Sequence, residues 1–78
     1  MVYMVRMEQA FRRLGYGRSQ GYARIQEGLL PKQVKIGQRA AALPDFEIEA
    51  VIRAQIAGKS AREIKALVKQ LMEARREA

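Results

Sequence analysis

The tripeptide Gly15-Tyr16-Gly17 constrains the fold of this chain more than any other feature. Upstream of it, Met7, Phe11 and Leu14 recur at i, i+4 and i+7, the spacing of one helical face over residues 7–14. The two glycines supply positions free to take positive φ, so that helix must end there. A second helix is predicted from Arg18 to Glu27, with Gly28 as terminator and Pro31 preventing its resumption. Two short helices across a glycine turn make a helix-turn-helix.

The stretch from Gln33 to Ala42 changes period. Val34 and Ile36 alternate with Gln33 and Lys35, as in a half-buried strand, and Gly37-Gln38 has the Gly-X form of a type II′ hairpin turn. The returning strand is alanine-rich, and Val2-Tyr3-Met4-Val5 is a candidate third strand. Leu43-Pro44-Asp45 opens a third helix, with Asp45, Glu47 and Glu49 complementing the positive end of its dipole. Its buried face is predicted as Ile48, Val51, Ile52 and Ile56, and Gly58 ends it. Ser60-Ala61-Arg62-Glu63 is a capping box for a last helix, whose apolar stripe is Ile64, Leu67, Val68 and Leu71. The expected fold is mostly α with a small β-hairpin: a winged helix-turn-helix over residues 1–57 and an extra amphipathic helix over 58–78. That stripe has two readings. It folds back on the small core, or it packs on a neighbouring protomer and serves self-association.

Chemistry is bounded by what the 78 residues lack. There is no cysteine and no histidine, which removes disulfides, thiolate nucleophiles and the commonest metal ligand and general base. No nucleophile–base pair, phosphate loop or metal-ligand spacing occurs, so neither an enzyme nor a cofactor is expected. No apolar run approaches the roughly 20 residues of a spanning helix, and no signal-peptide order opens the chain. A cytoplasmic, nucleoid-associated protein without membrane contact is expected.

The formal charge is +7, and it is unevenly spread. Residues 1–43 carry eight basic groups against two acidic ones, whereas residues 44–78 are nearly balanced, with seven against six. A basic half is the footprint of a polyanion partner or simply a solvated surface. The second helix weighs on the first reading. Arg18, Ser19 and Gln20 occupy its first turn, Tyr22 and Ala23 follow, and Arg24 lies one turn beyond Gln20, away from Gly21 and Ile25. Arginine pairs bidentately with guanine, glutamine with adenine, and serine with phosphate or base. A hairpin displaying Lys35, Gln38 and Arg39 would reach the neighbouring backbone or minor groove. Arg12 and Arg13, late in the first helix, would flank it.

The same residues resemble the AlpA family of phage and mobile-element regulators, which is similar to excisionases and to MerR-type winged helix-turn-helix proteins. The resemblance runs from Arg6 to about Ala57. It is carried by Gly15-Tyr16-Gly17-Arg18-Ser19, by Tyr22, and above all by Glu27-Gly28-Leu29-Leu30-Pro31-Lys32-Gln33-Val34-Lys35-Ile36-Gly37-Gln38-Arg39. Glu47-Ile48-Glu49-Ala50-Val51-Ile52 matches the start of the family's next helix. It implies a winged helix-turn-helix that binds double-stranded DNA at a promoter or attachment site and acts as transcriptional regulator, as excisionase steering an integrase, or as both. It also implies major-groove reading by Arg18, Ser19, Gln20 and Arg24, a wing of Lys35, Gln38 and Arg39, and a backbone contact from Lys32. Two positions depart from the family pattern: it usually has Ser or Thr where Gly17 stands, and often Trp near Leu43. Cooperative self-association on DNA would employ the last helix. The competing reading is a basic adaptor for an acidic protein partner, without preference among DNA sequences.

Overall fold

In the computed structural model, which describes residues 1–77, a three-stranded sheet seats four helices. The order is β1 (Met4–Arg6), α1 (Met7–Leu14), α2 (Arg18–Gln26), β2 (Val34–Gly37), β3 (Ala40–Pro44), α3 (Asp45–Ile56) and α4 (Ala61–Ala74), with a final 3-10 turn at Arg75–Glu77. The sheet is antiparallel in the order β1-β3-β2, so the alanine-rich strand is the central one. Its weak strand propensity is overridden by position: Ala42, Leu43 and Pro44 are buried and pair with β1, while Ala40, Ala41 and Ala42 pair with β2 on the other side. The N-terminal segment therefore does supply a third strand, with Val5 opposite Leu43. Tyr3 continues the pairing, its carbonyl accepting from the Asp45 N–H at 2.8 Å.

α1 covers residues 7–14 as its periodicity requires, and buries Met7, Ala10, Phe11 and Leu14. It closes in a Schellman motif. Gly15, at φ 78°, donates to Arg12 O at 3.2 Å, and Tyr16 donates to Phe11 O at 2.8 Å. α2 and α3 close in the same way at Gly28 and Gly58. Gly17 has no such conformation. It is the N-cap of α2 in extended backbone (φ −74°, ψ 169°) and offers no side chain to the free N–H groups.

Three details differ from the sequence-based expectations. The hairpin turn lies one residue later than Gly37-Gln38: Gly37 pairs with Ala40, and Gln38-Arg39 form the loop. Gly37 is not at positive φ, and neither is any non-glycine among the described residues, so the turn is not type II′. The shift is absorbed at Ile36, where Lys35 and Gly37 oppose the adjacent residues Ala41 and Ala40 across a bulge. Second, Ile56 is 81% exposed, because the buried arc of α3 runs through Glu47, Ile48, Val51 and Ala54. Third, of the three acidic groups expected at the positive end of α3, Asp45 and Glu47 lie in its first turn and Glu49 lies beyond it. Asp45 accepts from the N–H groups of Tyr3 (3.1 Å) and Phe46 (2.9 Å), and Glu49 pairs with Arg53. Glu47 is fully buried and accepts from Nε and Nη2 along one edge of the Arg75 guanidinium, at 2.9 and 2.6 Å.

That last contact joins the C-terminal segment to the core. α4 begins at the Ser60–Glu63 capping box, with both reciprocal bonds formed. Its Ile64 and Val68 are buried with Phe11, Leu30, Leu43 and Ile48, and Leu67, Leu71 and Met72 pack against them. Of the two readings of the stripe, the structure has the helix folded back on the chain's own core.

Candidate nucleic-acid interface

α2 rests on α1 through a contact that only glycine permits. A Cβ on Gly21 would stand 2.5 Å from Phe11 Cε1 and 2.7 Å from Cγ, well inside van der Waals contact. Next to it the rings of Phe11 and Tyr22 meet edge to face, with centroids 5.0 Å apart. Gly21 is the buried residue of α2, and the helix otherwise lies on the surface. With about 100° of rotation per residue, the face opposite Gly21 is Ser19, Ala23 and Gln26, all exposed. Arg18 and Tyr22 border it on the side of the hairpin, and Gln20 and Arg24 border it on the other.

Between α1, the start of α2 and the β2–β3 hairpin lies a groove of about 810 Å³. Its walls carry Arg6, Arg12, Arg18, Lys35 and Arg39 against the carboxylate of Glu8, with Tyr16, Tyr22, Gln33 and Gln38 between them. Glu8 reaches Arg12 at 3.7 Å with both side chains largely in water, and the lining stays strongly positive with one carboxylate against five cations. Five cations from four parts of the sequence thus converge on one concavity, which focuses their potential toward a polyanion. Lys32 lies outside this groove, in a smaller depression with Tyr22, Ile25, Gln26 and Gln33. Arg13 is exposed on α1 and lines neither.

Arg24 is placed differently from its neighbours. Its guanidinium sits 5.8 Å from the Tyr16 ring centroid and donates to Glu27 Oε1 at 3.1 Å. Tyr16 in turn accepts a 2.7 Å hydrogen bond from Gln55 of α3 through its hydroxyl. Arg24 is therefore half-buried in a contact set that ties α2 to α3, whereas Ser19, Gln20 and Ala23 face water freely. Arg6, Gln26 and Gln33 belong to the same surface and were not singled out by sequence pattern. The signal for Arg6 was its place between the first strand and the first helix, where a side chain projects beside both.

Ile64 and Val68, the centre of the stripe considered for self-association, are inside the core, and Leu67 and Leu71 are half-covered there. No helix among the described residues is long and apolar enough to cross a membrane. No curated protein and no solved structure matches the chain. The family model for the prophage CP4-57 regulatory protein (AlpA) matches residues 3–56, from β1 to the end of α3. That span holds the helix-turn-helix, the hairpin and every cation of the groove, and the chain belongs to the AlpA family of prophage regulatory proteins.

Proposed function

We propose that this protein is a sequence-specific double-stranded DNA-binding regulator of a phage or other mobile element. The observation that carries the reading is the five-cation groove between α2 and the hairpin. In the proposed complex the Ser19–Ala23–Gln26 face of α2 enters the major groove, flanked by Arg18 and Gln20. The wing, with Lys35, Gln38 and Arg39, lies over the adjacent minor groove or backbone, and the intervening strand passes between them. Arg6 and Arg12 hold phosphates from the α1 side, and Arg13 and Lys32 reach flanking backbone. Ala23 at the apex of the face brings the helix axis close to the base edges.

The target is a promoter or an attachment site, and the action is transcriptional regulation, excisionase control of an integrase, or both. Cooperative binding of adjacent copies belongs to the excisionase role. With Ile64 and Val68 in the core, such contacts would use other surfaces than the apolar stripe of α4. Footprinting on DNA spanning the protein's own promoter and the nearest attachment site tests the proposal. Discrete protected sites are expected. Featureless coverage at low salt that disappears as salt rises would leave only charge attraction, as expected for a basic adaptor with an acidic protein partner.

A further inference from the structure

The nearly balanced charge of residues 44–78 conceals an uneven surface. Among its carboxylates, Glu47 is taken by Arg75, Glu49 by Arg53 and Glu63 by Lys59. Arg62, Lys65 and Lys69 make no ion pair among the described residues. They are exposed and recur at i, i+3 and i+7, so they form one stripe on α4, on the side away from Ile64 and Val68. Glu73, one turn past Lys69, bounds it.

The orientation of α4 sets where this stripe lies. Lys65 Cγ is 3.9 Å from the position a Cβ on Gly28 would take, and Met72 Sδ is 3.4 Å from the backbone N of Lys32. Lys65 and Met72 are seven residues apart on one flank of α4, and that flank runs along the loop from Gly28 to Lys32 that leaves the recognition helix. The stripe therefore continues the basic surface past the C-terminal end of α2, with Lys32 at the junction. It lies outside the residues that the family model matches, 3–56.

We propose that Arg62, Lys65 and Lys69 form a phosphate rail that grips duplex DNA beyond the site covered by α2 and the wing. The proposal rests on the DNA-binding reading of the groove. The rail is sequence-independent, since flexible cations on an exposed helix face neutralise phosphates without reading bases. It extends the footprint of this chain relative to a module that ends at α3.

The test compares wild type with the triple variant Arg62→Gln, Lys65→Gln, Lys69→Gln on two duplexes. One ends at the borders of the core footprint, and the other extends it by about one helical turn on each side. Three phosphate contacts correspond to a change of roughly 2.7 in the slope of log K against log salt. The variant should show a slope shallower by about 2–3 on the long duplex and an unchanged slope on the short one. Equal slopes for wild type and variant on the long duplex would overturn the rail and leave the core reading standing. Failure of wild type to bind either duplex would overturn the rail and the DNA reading together.

Discussion

Gly21 of α2 lies so close to the Phe11 ring of α1 that a single added methyl would fall 2.5 Å from Cε1. In an ordinary exposed helix, Gly→Ala stabilises by about 0.5–1 kcal/mol. Here the sign reverses, because the ring is buried with Leu30, Leu43 and Ile48 and has no room to retreat. Gly21→Ala should destabilise the domain by about 1–3 kcal/mol, read from denaturant midpoints. Because the contact sets the height of α2 on α1, DNA affinity should fall with it. A stability gain would show that the two helices do not meet as described.

Gly17→Ser should act in the opposite direction. Gly17 caps α2 from extended backbone, no atom lies within 4 Å of its would-be Cβ, and its φ of −74° suits any residue. A serine hydroxyl would accept from an N–H of the first turn and stabilise by a few tenths of a kcal/mol. Thermal unfolding of the single variant checks this.

The pair Glu47–Arg75 predicts a strong dependence on the C-terminus. Glu47 is completely buried and Arg75 is 22% exposed in side chain, so truncating the arginine strands a carboxylate in the core. Arg75→Ala should cost about 3–5 kcal/mol. Adding Glu47→Gln should recover a large part of that loss, since the group left behind is then neutral. Equal stability of Arg75→Ala and the double variant would show that the loss of Arg75 does not leave a costly unpaired carboxylate at Glu47.

The Glu63 carboxyl is held below its usual value of 4.5, first by the hydrogen bond from the Ser60 backbone N–H, then by the Ser60 side chain and by Lys59. A depressed folded-state pKa contributes stability that is complete above the unfolded value. It is lost as pH falls through the folded one, so the window lies below about pH 4.5. Glu63→Gln keeps an acceptor for the capping box but does not titrate. Stability against pH should therefore be flatter for the variant than for wild type in that acidic window and parallel to it at neutral pH.

The parts of this fold that were legible in the sequence are those set by local rules. The limits of α1 follow from Met7, Phe11 and Leu14 with Gly15, and the start of α4 follows from Ser60 and Glu63. The winged helix-turn-helix order and the family followed from the run between Glu27 and Arg39. What escaped depends on contacts between distant residues. The turn moved past Gly37 because a bulge at Ile36 takes up one residue, which alternation alone does not reveal. Ile56 looked buried because it extends an apolar stripe, whereas the true arc includes a carboxylate whose partner lies 28 positions away. Arg24 shares helical spacing with Gln20, yet the Tyr16 ring and Glu27 draw it inward.

From that placement we propose that Arg24 acts as a positioning residue, through Tyr16 and Gln55, on the seating of α2. Arg24→Ala should weaken binding to all DNA sequences by a similar factor. Tyr16→Phe, which keeps the ring but loses the hydroxyl bonded to Gln55, should show a smaller uniform loss. Relaxed discrimination at one base pair, worth roughly 1–3 kcal/mol, would instead make Arg24 a reader of a base edge.

The most direct test of the central claim is equilibrium binding of the wild-type chain to a footprinted duplex and to its scrambled counterpart across a salt series. The account predicts a preference of at least about 10³ for the footprinted sequence. It also predicts a slope of about −4.5 or steeper, from about 0.9 for each of the five groove cations, with Arg13 and Lys32 adding to it where the duplex reaches them. Equal affinity for the two duplexes, or binding indifferent to salt, would contradict it.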